Sequence, residues 1–154
     1  MLSPNTAAAL LLFLGIYAAA LPIQATTPGK WLDYDGDGKT DYALFRPTDG
    51  TWYLVFSSTG AAFQQQFGNN GDVAAPGDYD GDGKTDYAVF RPTDGTWYML
   101  PTTSGALVSY QFGASGDILI PGNYDGDRKT DMALFRPSNS TWYVLPSTTG
   151  QLVP

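Results

Sequence analysis

An internal repeat of 45 residues constrains this chain more than any other feature. The segment DYDGDGKTDYALFRPTDGTWYLV, which starts at Asp33, returns almost unchanged at Asp78 and, with more substitutions, at Asn123. Self-similarity with a period of about 40–50 residues is typical of solenoids and of four-stranded propeller blades. Within a region covering 26–154, the repeats span about 28–72, 73–117 and 118–154.

Each repeat contains four segments with the composition of short β-strands. In the second repeat these are Val73–Gly77, Tyr87–Arg91, Thr96–Leu100 and Leu107–Phe112. Residues 92–95 have the sequence Pro-Thr-Asp-Gly, which is typical of the turn of a β-hairpin. No segment after residue 26 shows the 3.6-residue apolar period of a helix. The pattern predicts an all-β fold of three tandem four-stranded β-propeller-like blades.

Three repeats are fewer than the four to eight blades with which propellers close, and an open fan leaves strand edges exposed. The third repeat also stops at Pro154, before the counterpart of the strand end at Phe112. We therefore expect copies of this chain to associate. Two chains could form a six-bladed ring, and a contact that does not close would form a fibre.

The first 25 residues have a different character. Residues 7–21 form an uninterrupted apolar run of the length of a signal-peptide h-region, shorter than the ~20 residues of a membrane span. Small residues at Ala20 and Ala25 suit cleavage, although no Lys or Arg precedes the run. Residues 1–25 are either a signal peptide or a retained apolar segment, helical and packed against its copies. Both alternatives predict an extracellular or cell-surface location, with no membrane span in the repeat region.

The charge of the chain is concentrated in three acidic loops. All 15 acidic residues are Asp, and 11 of them lie in segments that begin at Asp33, Asp78 and Asn123. Carboxylates at loop positions 1, 3, 5 and 9, with Gly at position 6, can aim several oxygens at one point, and ligands made only of hard oxygens favour Ca²⁺. Position 7 would add a backbone carbonyl from a lysine whose side chain points away. The predicted calcium ligands are Asp33, Asp35, Asp37, Lys39 and Asp41; Asp78, Asp80, Asp82, Lys84 and Asp86; and Asn123, Asp125, Asp127, Lys129 and Asp131.

We expect about three Ca²⁺ ions per chain, with the third site the weakest. There Asn123 replaces the first Asp, and Arg128 replaces a Gly at a position that requires positive φ. The alternative, that these are simply polar hairpin loops, does not explain three loops of identical spacing whose carboxylates would repel one another without a cation.

Composition excludes several classes of function. A net charge of −7 with only 8 Lys and Arg argues against nucleic acid as a partner. The chain has no Cys and no His, so it lacks disulfides, the commonest general base and the commonest transition-metal ligand. Every polar feature also occurs three times, whereas an active site is usually unique. We therefore expect a protein that is not an enzyme, and place a calcium-dependent hydrolase last among the alternatives.

Repeated aromatic and basic residues complete the pattern. Trp52, Trp97 and Trp142 are each followed by Tyr on a predicted strand, so one ring of each pair should pack between blades and the other could stack on a sugar. The arginines that precede proline are expected to pair with acidic residues of the neighbouring repeat. The hydroxyl-rich turns Ser57–Thr59 and Thr102–Ser104 are interpreted as solvent-facing loops.

At these residues the sequence resembles the FG-GAP/VCBS repeat family, the calcium-loop propeller blades also found in integrin α-subunit heads. The resemblance covers residues 28–154, and the loops match by position except at Asn123 and Arg128. The namesake pattern is present in part, as Phe67-Gly68 and Ala75-Pro76-Gly77. The resemblance implies a Ca²⁺-binding hairpin loop in each blade and extracellular adhesive or carbohydrate-binding roles.

The leading hypothesis is an extracellular, calcium-stabilised repeat protein with a structural or adhesive role, which self-assembles into an oligomer or filament. Its partners would be copies of itself and cell-surface proteins or glycans. The alternative is a calcium-dependent, lectin-like module that binds carbohydrate, which requires an exposed aromatic ring beside a calcium loop or in a cleft between blades.

Overall fold

The computed structural model describes residues 32–153, which form ten short strands in three antiparallel sheets and contain no helix. The strands are β1 (Tyr42–Arg46), β2 (Thr51–Val55), β3 (Ala62–Gln66), β4 (Val73–Ala74), β5 (Tyr87–Arg91), β6 (Thr96–Leu100), β7 (Val108–Gln111), β8 (Ile118–Leu119), β9 (Met132–Arg136) and β10 (Thr141–Leu145). Sheet 1 contains β1–β3, sheet 2 contains β4–β7 and sheet 3 contains β8–β10. The all-β prediction is confirmed, and the predicted apolar segment 1–25 lies outside the described residues.

Sheet 2 has the four strands predicted for a blade, in the order β4-β5-β6-β7. Sheets 1 and 3 each have three strands within the described residues. In sheet 3, the counterpart of the β6–β7 pair Met99–Val108 is an isolated bridge between Val144 and Val153. Residues 32–153 therefore form a row of three sheets with three, four and three strands, and they do not close into a barrel or a propeller.

The central hairpin of each sheet is closed by the predicted turn. In sheet 2, β5 and β6 pair from Tyr87–Leu100 to Arg91–Thr96, which leaves the four residues 92–95 as the connection. The Gly95 amide donates to the Arg91 carbonyl at 2.9 Å, and Gly95 has φ of 68°. This left-handed conformation suits Gly, which lacks the Cβ that penalises it in other residues.

Alternation along the strands divides sheet 2 into two buried faces. Tyr87 and Val89 of β5 belong to one hydrophobic cluster, and Ala88 and Phe90 belong to another. Successive strand residues point to opposite faces, so sheet 2 is packed on both sides. The first cluster, which we call junction 1, joins sheet 2 to sheet 1, and the second, junction 2, joins it to sheet 3.

Tryptophans form the centre of both junctions. Trp52 in junction 1 and Trp97 in junction 2 are 2% and 0% exposed. The indole N–H of Trp52 donates to the Phe67 carbonyl at 2.9 Å, and that of Trp97 donates to the Phe112 carbonyl at 2.7 Å. Each ring thus buries a large apolar surface while its one polar group keeps a hydrogen bond.

No helix among residues 32–153 has the length and apolar character needed to cross a membrane.

Candidate metal centres in the acidic loops

The three acidic loops precede the hairpins of their repeats: loop 1 spans 33–41, loop 2 spans 78–86 and loop 3 spans 123–131. In loop 1 the Asp33 carboxylate accepts hydrogen bonds from the amides of Gly36 at 2.6 Å and Gly38 at 2.9 Å. Both glycines have positive φ, 83° and 85°. Loop 2 makes the equivalent bonds at 2.7 and 3.0 Å. The chain therefore curls around the first carboxylate of the loop, as a tight turn with Gly at these positions allows.

The last carboxylate of each loop is buried at the base of the hairpin. Asp41, Asp86 and Asp131 are 3%, 0% and 1% exposed. Asp86 accepts hydrogen bonds from the amides of Tyr79 at 2.9 Å and Thr102 at 2.8 Å. Burial raises the pKa of the Asp86 carboxyl, and these two amides act in the opposite direction. A bound cation would favour the ionised form in the same way as the amides.

A hydroxyl-rich turn that follows the second strand of each hairpin contacts the loop that precedes the first strand. Ser58 Oγ donates to Asp35 at 2.5 Å, and this bond holds the pKa of Asp35 below its usual value. Ser57 Oγ donates to Asp37 at 2.9 Å. The equivalent hydroxyl contacts are Thr102 and Thr103 with Asp82 and Asp80, and Ser147 and Thr148 with Asp127 and Asp125. The predicted exposure of these turns is confirmed at Ser58, Thr59, Thr103 and Ser104, but the prediction did not include their hydroxyl contacts with the loops. The recurrence of hydroxyl residues at the repeat spacing is the signal that indicates these contacts.

Each loop brings three carboxylates together. One oxygen from each member of a triad lies within 4.8 Å of the oxygens of the other two. The triads are Asp33, Asp35 and Asp37; Asp78, Asp80 and Asp86; and Asp125, Asp127 and Asp131. Asp41, Asp82 and Asn123 lie in the same loops but outside the triads. The triads use positions 1, 3 and 5, positions 1, 3 and 9, and positions 3, 5 and 9 of the predicted ligand pattern, so all three belong to one arrangement.

This donor set fits a hard divalent cation. Two oxygens on opposite sides of a Ca²⁺ ion are about 4.8 Å apart, twice a bond of about 2.4 Å, so oxygens spaced as in the triads can reach one ion together. The three carboxylates of a triad repel one another, and a cation removes that repulsion. The described residues therefore satisfy both the spacing and the chemistry of an oxygen-ligated metal site.

Loop 3 differs from the others as the sequence predicts. Arg128 has φ of 78°, close to the 85° of Gly38 and the 93° of Gly83. A non-glycine residue in this conformation is strained by about 1–2 kcal/mol. The Asn123 side-chain oxygen still accepts from the Gly126 amide at 2.7 Å, so the curl of the loop is retained at its start.

Successive loops are joined by hydrogen bonds from the backbone of one loop to the backbone or a threonine side chain of the other. The Asp33 amide donates to Thr85 Oγ1 at 2.9 Å, and the Thr85 amide donates to the Asp33 carbonyl at 2.7 Å. One repeat further on, the Thr130 amide donates to the Asp78 carbonyl at 2.6 Å. The residue that begins each of the first two loops is thus held by the threonine at position 8 of the next loop.

The loop lysines reinforce this contact. A Cβ placed on Gly36 would lie 2.9 Å from Cε of Lys84, and one on Gly81 would lie 2.9 Å from Cε of Lys129. Each of these lysines therefore lies across a glycine of the preceding loop, where only glycine leaves room for it. Lys39 was predicted to direct its side chain away from its loop, which is wrong, because its Nζ lies 3.5 Å from an Asp37 carboxylate oxygen.

Of the three tryptophans considered as sugar platforms, two are buried. Trp52 and Trp97 have no ring face available to a ligand, whereas Trp142 is 57% exposed. The packing interpretation therefore applies at the first two positions. The indole of Trp142 contacts Phe135, with ring centroids 5.2 Å apart, on the outer face of sheet 3.

The repeated arginines form the predicted ion pairs between repeats in two of three cases. Arg91 makes two hydrogen bonds of 2.9 Å to Asp72, at the end of the first repeat. Arg136 makes two of 2.8 Å to Asp117, at the end of the second, and this partner holds the pKa of Asp117 below its usual value. Arg46 instead pairs with Asp49 of its own hairpin at 3.2 Å.

Comparison with known proteins gives one match, which covers loops 1 and 2. Residues 33–89, from the start of loop 1 to the middle of β5, match the family model described as an FG-GAP-like repeat. No curated protein and no solved structure matches the chain significantly. The resemblance drawn from the acidic loops is confirmed over those residues, which are similar to an FG-GAP-like repeat.

Proposed function

We propose that this chain is an extracellular repeat protein in which Ca²⁺ bound at loops 1–3 stabilises a structural or adhesive assembly, and that it has no catalytic activity. The observation that supports this most strongly is the position of the carboxylate triads. Each triad lies in a loop whose last residue contacts the hairpin of its own repeat. Hydrogen bonds also join the loops of successive repeats. A metal bound there holds together the parts of the chain that no disulfide could hold.

The ligands would be the carboxylates of loops 1 and 2 and those of loop 3 with the Asn123 amide oxygen, together with backbone carbonyls at position 7. The ion itself supplies positive charge that offsets the repulsion within a triad. Three ions would change the formal charge from −7 to −1. Loop 3 binds most weakly, because Asn123 is neutral and Arg128 adds a positive charge to the loop.

The extracellular assignment is supported by the match between site and environment. Extracellular modules bind Ca²⁺ with dissociation constants of about 0.1–1 mM, which suits a calcium concentration near 1 mM. The apolar run 7–21 is consistent with export. A structural or adhesive role also accounts for the threefold repetition of every polar feature, since a catalytic site needs one asymmetric arrangement.

Calcium titration of the full chain by isothermal calorimetry, with urea unfolding in 1 mM Ca²⁺ and in chelator, tests the proposal. Sites with dissociation constants of about 0.1 mM would each add about 1.4 kcal/mol to the free energy of unfolding at 1 mM Ca²⁺. Asp80→Asn removes one charge from the loop 2 triad and should abolish or weaken one of three binding events. Asp94→Asn, a change of the same kind in the β5–β6 turn outside the triads, is the matched control. Identical unfolding with and without chelator would contradict the proposal.

The second candidate function, binding of glycans, is supported by the exposed ring of Trp142, which is 57% exposed. An exposed indole can stack on the apolar face of a sugar. A calcium-dependent delay on a glycan column that is lost in Trp142→Ala, but retained in Trp97→Phe, would favour this alternative. Elution unaffected by calcium and by Trp142→Ala would exclude it.

A further inference from the structure

Two faces at opposite ends of the row of sheets are apolar and exposed. The leading face, on sheet 1, consists of Tyr42, Leu44 and Val55, which are 79%, 60% and 38% exposed, and it borders an open groove of about 500 Å³. The trailing face, on sheet 3 and loop 3, contains Trp142 and Tyr124, which are 57% and 52% exposed. Within residues 32–153, Tyr42 is the most exposed aromatic side chain of the leading face, and Trp142 and Tyr124 are the most exposed of the trailing face.

The equivalent positions inside the row are covered by the neighbouring sheet. Tyr87 and Val89, the counterparts of Tyr42 and Leu44 one repeat later, are 8% and 0% exposed. Trp52, the counterpart of Trp142 two repeats earlier, is 2% exposed. The leading and trailing faces therefore carry the two halves of a junction that the chain forms internally.

The aromatic residues match junction 1 one for one. In that junction Tyr34 and Trp52 of the first repeat surround Tyr87 of the second, with ring centroids 5.1 and 5.7 Å from its own. The trailing face presents Tyr124 and Trp142 at the positions of Tyr34 and Trp52. The leading face presents a tyrosine, Tyr42, at the position of Tyr87.

We propose that the trailing face of one chain binds the leading face of a second copy, so that the row of sheets continues from one molecule into the next. The inference rests on the structural role proposed above and names the partner and the surface for it. Tyr42 of the second copy would occupy the position that Tyr87 has in junction 1. Leu44 of the second copy would occupy the position of Val89.

The polar contacts between loops can continue across the same boundary. Thr40 is the counterpart of Thr85 and Thr130, which hold the first residue of the preceding loop, and Asn123 is the counterpart of Asp33. A Cβ on Gly126 would meet no atom within 4 Å, whereas its counterpart Gly81 is covered by a lysine. Loop 3 thus leaves open the space that Lys39 of a second copy would take.

A second copy fits both faces better than a sugar does, because it supplies both an apolar surface and the threonine and lysine that match the open loop. A sugar would stack on Trp142 but would leave the leading face exposed. The contact is also continuous with an interface that the chain already makes twice. Since it joins two different faces, it is heterologous, and assemblies grow end to end or close into a ring.

Sedimentation velocity of the full chain in saturating Ca²⁺, over a hundredfold range of concentration, measures the association. The wild type should form species larger than a monomer as concentration rises. Leu44→Asp in the leading face and Trp142→Asp in the trailing face should each remain monomeric at every concentration. Leu107→Asp, at a residue that is 63% exposed and belongs to neither face, should assemble like the wild type.

Mixing the two face variants provides the decisive test. The Leu44→Asp chain keeps its trailing face and the Trp142→Asp chain keeps its leading face, so an equimolar mixture should form a dimer and stop there. A monomeric wild type, variants that assemble like the wild type, or a mixture that stays monomeric would overturn the proposal. Calorimetry on the same samples separates the two ideas: a monomer that binds three Ca²⁺ refutes only the docking, whereas docking without calcium binding refutes only the calcium staple.

Discussion

The close approach of the β5–β6 turn to the end of β7 provides a quantitative test of the fold. Gly95 has φ of 68°, and a Cβ added there would lie 2.3 Å from the Gly113 carbonyl oxygen. Gly105 has φ of 61° in the next turn, but a Cβ there would meet no atom within 4 Å. The two glycines thus share a left-handed backbone and differ in the space around it.

We expect Gly95→Ala to lower the free energy of unfolding by about 2–4 kcal/mol. Left-handed backbone strain contributes about 1–2 kcal/mol, and displacing the Gly113 backbone contributes about 1–3 kcal/mol more. Alanine also restricts the unfolded chain more than glycine does, and this effect raises the free energy of unfolding by about 0.4–1 kcal/mol. Gly105→Ala carries only the first and last of these effects, so its loss should not exceed about 1.6 kcal/mol.

Equilibrium unfolding in urea at a fixed calcium concentration, followed by tryptophan fluorescence, measures both variants. Trp97 is buried beside the Phe112 carbonyl, so its emission reports on the region that is changed. Equal losses for Gly95→Ala and Gly105→Ala would show that the turn and the strand end do not approach as the structure has them, and would refute the reasoning.

Three further changes follow from single contacts. Asp117→Asn should lower the free energy of unfolding by about 2 kcal/mol at pH 7, since it breaks the charged pair with Arg136. Arg136 lowers the pKa of Asp117 in the folded state, so the wild type's greater free energy of unfolding is fully present above pH 3.8, the ordinary pKa of Asp. This difference should vanish as the pH falls through the folded-state pKa. A difference that persists in acid would contradict the assignment. Arg128→Gly should add about 0.5–1 kcal/mol to the free energy of unfolding in chelator and strengthen the calcium binding proposed for loop 3, as measured by urea unfolding and calorimetry. Trp97→Ala should remove about 3–5 kcal/mol, whereas a loss under 1 kcal/mol would show that junction 2 is not the core.

Much of the local fold could be predicted because its causes are local. The spacing of apolar residues and the turn 92–95 predicted Tyr87–Arg91 and Thr96–Leu100 with the bounds that β5 and β6 have. The first strand of the repeat was predicted as Val73–Gly77 but is Val73–Ala74. Pro76 has no amide to donate, and Gly77 forms only an isolated bridge, to Asp86.

The grouping of carboxylates within each loop could be predicted from the sequence, whereas their contacts with other parts of the chain could not. Carboxylate positions follow from the spacing within one loop, so the members of the triads were all among the predicted ligands. The contacts of Ser57 and Ser58 with loop 1 join residues at least 20 positions apart, so only the recurrence of hydroxyl residues at the 45-residue spacing indicates them. The exposure of Trp142 could not be predicted either, because its residue type matches Trp52 and its environment depends on which sheet lies next to it.

The bonds that join Asp33 to Thr85 and Asp78 to Thr130 also bear on how such a chain can change its length. Both connect residues 52 apart, so a duplicated 45-residue unit inherits a donor for the loop before it and an acceptor for the loop after it. Gene duplication in whole units therefore extends the protein without requiring new complementary mutations. Growth by whole repeats therefore leaves each internal loop between a loop that accepts its hydrogen bond and a loop that donates to it.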